Sequence, residues 1–116
     1  VDVNNETYQA KDIILATGSQ PFIPPIDGLD QVNYETTDTF FDLEKLPKQL
    51  AVIGGGVIAT ELASSMADLG VRVTIIEVAD DILLTEINET REMLKAHLDN
   101  QGIKILTKAK IKQVKE

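Results

Sequence analysis

The sequence contains no cysteine and a single histidine, His97. The missing cysteines exclude disulfide bonds, thiolate chemistry and cysteine-based metal sites within these 116 residues. One histidine also disfavours a histidine-dependent triad or metal cluster. We therefore expect no metal site in this chain.

Long apolar runs and excess positive charge are missing as well. No stretch reaches the roughly 18 apolar residues that a membrane-spanning helix requires. The formal net charge of −8 disfavours nucleic acid and anionic membranes as partners. The chain shows no signal-peptide pattern and no initiator methionine, and it opens in mid-pattern at Val1. We expect a piece of a longer cytoplasmic protein.

An apolar run that turns on three glycines is the most informative feature that is present. Residues 50–53 read as a buried strand, and a helix at about 56–69, with small side chains on one face, follows the turn. Tight turns and close approach to a pyrophosphate need glycine, and the helix N-terminus offers free N–H groups to phosphates. The predicted binding residues are Gly54, Gly55, Gly56, Val57, Ile58 and Ala59.

A second strand, at about residues 71–77, ends on an acid, Glu77. This acid follows the glycine turn by about 20 residues, the spacing at which a carboxylate accepts hydrogen bonds from an adenosine ribose. Ala59, Ala63 and Ala67 recur at every fourth position, which is typical of a helix face that packs closely on a sheet. Strand, glycine turn, helix, strand and acid together predict a dinucleotide-binding βαβ unit.

The remaining pattern extends this unit on both sides. We predict strands at 1–3 and 7–16, a short helix at about 36–43, a loop at 78–84, a helix at about 86–100, a strand at 103–106 and an edge or hairpin strand at 109–114. The buried side of the second long helix is predicted to carry Ile87, Thr90, Leu94 and Leu98. The fold class is therefore α/β, a Rossmann-like parallel sheet with flanking helices, which we expect to be truncated.

Three motifs in order resemble the flavin-dependent pyridine nucleotide-disulfide oxidoreductases. They are Asp12 to Pro21 with its Ala-Thr17-Gly18 triplet, the lead-in Leu46-Pro47-Lys-Gln-Leu50, and the turn Gly-Gly-Gly-Val-Ile-Ala-Thr-Glu-Leu-Ala. The segment from Thr36 to Pro47 resembles the dihydrolipoamide dehydrogenase, mercuric reductase and glutathione reductase branch.

The resemblance implies a domain division and further site residues. Residues 1–24 would end a FAD-domain segment, 25–47 would be a connector with a short helix, and 48–116 would be an NAD(P)-binding domain incomplete at its C-terminus. Thr17 and Gly18 would lie at the junction of the two domains, and Glu61 would face the nicotinamide. The parent would carry FAD, further FAD-domain and dimerisation segments, and a redox cysteine pair upstream, so no catalytic residue is expected in this chain. Open sheet edges would also permit oligomers by strand exchange.

The choice of nucleotide follows from charge. Some relatives carry an aromatic residue where Val57 stands, and alanine at position 59 is common in relatives that use NADP. Glu77, Asp80 and Asp81, however, would repel a 2′-phosphate, and Arg72 lies at the far end of its strand. Arg91 is a possible but distant cation. We therefore expect NAD(H) to be preferred over NADP(H).

Two alternatives stay open from the sequence. An S-adenosylmethionine-binding, methyltransferase-like domain shares the glycine turn and the acid after the second strand, although the Thr17-Gly18 motif does not fit it. A non-catalytic nucleotide-binding module that kept only the fold is the other.

Overall fold

The computed structural model describes residues 1–115 and shows an α/β chain built on a three-stranded parallel sheet. The strands and helices are β1 (Asp2–Val3), β2 (Glu6–Thr7), β3 (Gln49–Ile53), α1 (Val57–Asp68), β4 (Arg72–Ile76), α2 (Asn88–Asn100) and β5 (Lys104–Leu106). Two short 3-10 turns, Leu29–Gln31 and Phe40–Asp42, lie in the connector.

The parallel sheet has the strand order β3-β4-β5. Gln49 aligns with Arg72 at the start of the β3–β4 pair, and Thr74 aligns with Lys104 in the β4–β5 pair. The central strand β4 buries Val73 and Ile75, because every second residue of a strand points to the same face. The carboxyl ends of all three strands therefore meet at one edge of the sheet.

Both long helices cover the same face of this sheet. Ala63 of α1 is fully buried, and Ala59 and Ala67 are half-buried beside it, which confirms the predicted smooth helix face. The α1 residue Ser64 donates a hydrogen bond to Gln101, which follows α2, at 2.9 Å. The two helices thus pack side by side, and the glycines that follow them, Gly70 and Gly102, have left-handed φ angles of 86° and 76°.

The hydrophobic core lies between these helices and the sheet. It consists of Ala63, Met66, Val71, Val73, Ile75, Ile82, Leu83, Leu98 and Ile103. The opposite face of the sheet is more open, since Ile53 and Leu106 keep 39% and 38% of their surface exposed. Within residues 1–115 no further strand pairs with the outer edges of β3 and β5.

The N-terminal strand prediction is wrong for most of its length. Residues 1–7 form a two-stranded antiparallel hairpin, with Asn4 and Asn5 at φ 51° and 69° in the turn, but residues 8–20 form no strand. Ile14 is 92% exposed although the pattern predicted burial on both faces. A run of apolar residues becomes a buried strand only where neighbouring strands supply hydrogen bonds, and none lies beside it among the described residues.

Three further predictions need correction. Residues 109–114 contribute only an isolated parallel bridge between Asp27 and Gln113 instead of a strand. The helix predicted at 36–43 shrinks to a turn and the 3-10 segment Phe40–Asp42. On α2 only Leu98 is buried, whereas Ile87 is 69% exposed because it precedes the helix as its N-cap residue.

No helix within residues 1–115 combines the length and the apolar character needed to cross a membrane.

Candidate functional site

The glycine turn joins the carboxyl end of β3 to the first turn of α1. Gly54 continues the strand pairing, since its N–H donates to the carbonyl of Ile76 at 2.9 Å. Gly56 is the N-cap residue of α1, and no side chain caps this helix end. Val57 and Ile58, the first helical residues, are exposed. The backbone donors and the positive end of the α1 dipole are therefore free to meet an anion.

Glu77 leaves the end of β4 and reaches back to this turn. Its Oε2 accepts a hydrogen bond from the Gly55 N–H at 2.6 Å, and its Oε1 accepts one from the Ala79 N–H at 2.7 Å. The carboxylate thus lies at the turn, as the sequence spacing predicts. It also holds the turn itself, a second role for Glu77 that its spacing from the glycines does not predict.

Gly55 is the buried member of the glycine triplet, and the loop after β4 encloses it. A Cβ atom at Gly55 would lie 2.5 Å from Cγ2 of Ile82, so only glycine fits there without a shift. The Gly55 carbonyl accepts a hydrogen bond from the Leu83 N–H at 2.8 Å. The sequence pattern predicts only a loop at 78–84, although the consecutive apolar residues Ile82, Leu83 and Leu84 are a signal that part of this loop is anchored in the core.

A cluster of charges fixes the same loop to α2. Asp81 Oδ2 lies 3.3 Å from Arg91 Nη1 and 3.2 Å from Lys95 Nζ, and each of the three side chains is at most 32% exposed. Desolvation alone would raise the pKa of Asp81, but hydrogen bonds from Lys95 and the Ile82 N–H, with the two positive charges, hold it below its usual value. Its hydrogen bonds to Glu92 and Asp81 raise the pKa of Lys95.

An apolar cleft of about 310 Å³ opens beside Glu77 at the carboxyl ends of β3 and β4. Its lining includes Phe22, Pro24, Ile26, Ile53, Gly54, Ile76, Glu77, Val78 and Ile111. The connector reaches this cleft because the Val114 N–H donates to the Asp27 carbonyl at 2.8 Å and ties the connector to the C-terminal segment.

The structure brings only part of the predicted site together. Glu61 is exposed and lines a separate, open groove between α1 and α2 that also includes His97. Thr17 and Gly18 lie in the exposed N-terminal segment, outside the lining of the cleft. Among residues 1–115, no group of three or more metal-binding side chains converges.

Comparison with known proteins agrees with this architecture. The family model described as pyridine nucleotide-disulphide oxidoreductase matches residues 1–116. A dihydrolipoyl dehydrogenase from Acholeplasma laidlawii is 40% identical over 98% of this chain, and a mercuric reductase from Staphylococcus aureus is 32% identical over all of it. The chain spans 35% and 21% of the lengths of these two relatives.

A solved structure shows the same fold. The Cu(II) complex of an HOCl-induced flavoprotein disulfide reductase from Escherichia coli superposes with a TM-score of 0.80 at 33% sequence identity. That alignment covers 86% of this chain and 23% of the reductase.

Proposed function

Because the chain belongs to the pyridine nucleotide-disulphide oxidoreductase family, we propose that its glycine turn binds NAD(H) and positions it for hydride transfer to FAD. The proposal places this function within a longer flavoprotein, since the relatives are about three to five times as long as this chain. Family membership removes the methyltransferase-like alternative. The non-catalytic alternative depends on the parent protein: a flavin-binding segment downstream and a cysteine pair upstream would favour the enzyme, whereas a missing flavin-binding segment would favour the non-catalytic module.

One observation carries the proposal: the α1 N-terminus is open while hydrogen bonds on both sides hold the turn that leads to it. Both hydrogen-bonding groups of the Gly55 backbone are occupied, by Glu77 and by Leu83. A Cβ at Gly56, in contrast, would meet no atom within 4 Å. A preorganised backbone beside empty space suits a pyrophosphate, because the donors need no rearrangement when the anion arrives.

Each side of the turn has its own role in the proposal. Gly54, Gly56, Val57 and Ile58 would approach the pyrophosphate. The outward lone pairs of Glu77 would accept hydrogen bonds from the adenosine ribose, and the apolar cleft beside it would receive the adenosine.

The nicotinamide half would extend in the other direction. Glu61, one turn into α1, would lie towards the nicotinamide, and Thr17 and Gly18 would lie at the domain junction. FAD, when bound to the parent protein, would supply the hydride acceptor. The groups described here bind and orient the dinucleotide, and none of them forms a covalent bond with it.

The nearby cations support a preference for NAD(H). Arg91, the candidate partner for a 2′-phosphate, is already engaged by Asp81 at 3.3 Å. Lys108 lies close to the same loop, but its Nζ is 3.6 Å from Asp80 Oδ1. A 2′-phosphate would therefore meet Glu77 and would have to draw a lysine or arginine away from an existing carboxylate partner.

The sharpest test of dinucleotide binding is Gly56→Ala. Gly56 has φ −76°, which any residue adopts, and the added methyl group meets no protein atom, so the fold should persist. The methyl group would occupy the space that a pyrophosphate needs. We expect the Kd for NADH, measured by calorimetry, to rise about tenfold, while the melting temperature falls by only a few degrees.

The matched control is Ser65→Ala, an exposed change on the same helix that should leave the Kd unchanged. Equal NADH affinity in the wild-type chain and Gly56→Ala would refute the assignment of the turn.

A further inference from the structure

The loop at residues 78–84 supports the glycine turn from behind, and its contacts form a continuous chain. Ile82 is fully buried, and its side chain fills the space beside Gly55. Leu83 is 3% exposed and donates its N–H to the Gly55 carbonyl. The conformation of the turn therefore depends on where Ile82 and Leu83 are held.

Leu83 is held in an unusual backbone conformation. Its φ is 54°, in the left-handed region that residues with a Cβ seldom adopt. Such a conformation persists only where the surrounding contacts determine it. The burial of the Leu83 side chain is one of these contacts, and its hydrogen bond to Gly55 is another.

Asp81 is the residue that fastens this loop to α2. Its Oδ1 accepts the Ile82 N–H at 2.9 Å, and its Oδ2 lies within 3.3 Å of Arg91 Nη1 and Lys95 Nζ. Arg91 Nη2 also donates to Asn88 Oδ1 at 2.7 Å, which fixes the guanidinium on the first turn of α2. The carboxylate thus joins the backbone next to Gly55 to two cations on a helix.

We propose that Asp81 is a positioning residue that sets the conformation of the glycine turn through Ile82 and Leu83, without contacting the nucleotide. The consequence for NADH affinity rests on the proposed function, whereas the effect on the turn does not. Residues 81, 91 and 95 would then tune dinucleotide affinity from behind the site. This role differs from the charge repulsion that the sequence assigned to Asp81.

Amide NMR spectra of the labelled chain test the effect on the turn directly. Asp81→Asn keeps the side-chain shape and the acceptor for Ile82 N–H, but it removes the charge that holds Arg91 and Lys95. We expect the amide resonances of Gly55 and Gly56 to shift in this variant without any ligand. Asp81→Glu should largely restore them, a rescue that general destabilisation would not give.

Asp80→Asn is the matched control, since Asp80 is the adjacent acid and its side chain is 86% exposed at its pair with Lys108. It should leave the glycine resonances in place. A second variant, Lys95→Gln, removes one anchoring cation at the surface and should shift the same resonances in the direction of Asp81→Asn.

NADH titrations followed in the same spectra separate the two proposals. We expect Asp81→Asn to raise the Kd about two- to fivefold, the scale of a partly exposed ion pair, and Asp80→Asn to leave it unchanged. Unmoved glycine resonances in both Asp81→Asn and Lys95→Gln would overturn the positioning role. Shifted resonances in a chain that binds no NADH would uphold the positioning role and overturn the proposed function.

Discussion

At the scale of single residues, the three glycines of the turn have three different reasons to be glycine. Gly54 has φ 103° and Gly55 has no room for a Cβ beside Ile82, whereas at position 56 no protein atom requires glycine and only the proposed pyrophosphate would. The sequence predicted the triplet and Glu77 from their spacing. It could not predict that Glu77 and Leu83 both hydrogen-bond to the Gly55 backbone, because both contacts depend on the end of β4 and the loop after it folding back onto the turn.

Gly55→Ala should destabilise the fold, in contrast to Gly56→Ala. The new methyl group would lie 2.5 Å from Ile82 Cγ2, and Ile82 has no exposed surface through which to move away. Overpacking of this kind costs about 1–3 kcal/mol, so thermal unfolding should show a melting temperature lower by roughly 5 °C or more. An unchanged melting temperature would mean that Ile82 does not enclose Gly55.

Glu77→Arg should shift the nucleotide preference towards NADPH. The change removes the ribose acceptor and adds a charge that attracts a 2′-phosphate, so the ratio of the NADH and NADPH dissociation constants should move by about tenfold or more. Loss of the acceptor for Gly55 N–H should also cost about 1–3 kcal/mol of stability. The ratio of the two dissociation constants separates these effects, since destabilisation of the fold weakens the binding of both nucleotides equally. An unchanged ratio would refute the assignment of Glu77 as the ribose acceptor.

At the scale of elements, the helices and strands that were predicted correctly are those with local sequence signals. Strands β3 and β4 and helices α1 and α2 lie within one or two residues of their predicted bounds, because periodicity and the flanking glycines are local signals. The strands predicted at 7–16 and 109–114 are largely absent, since a strand needs partners that the sequence pattern does not identify. The Asp81 contacts with α2 could not be predicted either, because they too join segments that the sequence pattern does not pair.

The link between the 78–84 loop and α2 should depend on pH. The folded pKa of Asp81 is lowered, so its contribution to stability is present above the unfolded pKa of about 4 and is lost as pH falls through the lower folded value. Asp81→Asn should therefore unfold at a lower temperature than wild type at pH 7, because it loses up to about 1 kcal/mol of stability.

That difference should shrink in melting curves recorded as the pH falls progressively below the unfolded pKa of about 4. Asp80→Asn provides the comparison, because its exposed pair should contribute little at any pH. A difference between Asp81→Asn and wild type that did not shrink at all as the pH fell would show that the charge of Asp81 is not its source.

At the scale of the whole molecule, the chain is one βαβαβ unit with one open sheet face and an exposed N-terminal segment. Matches to relatives several times its length agree with the expectation that it is part of a larger flavoprotein. The division of the chain into segments after residues 24 and 47 stays a prediction. The formation of oligomers by strand exchange stays one as well. The sequence indicated the family through three motifs in order. Only the structure shows that residues 8–20 are exposed and have no strand partner among the described residues.

The central claim is that this chain holds a dinucleotide site that prefers NAD(H). The most direct measurement is a calorimetric titration of the wild-type chain with NADH and, separately, with NADPH. We predict tighter binding of NADH, because Glu77 would repel a 2′-phosphate and the nearby cations Arg91 and Lys108 already have carboxylate partners. Tighter binding of NADPH would contradict the preference, and binding of neither nucleotide would contradict the site itself.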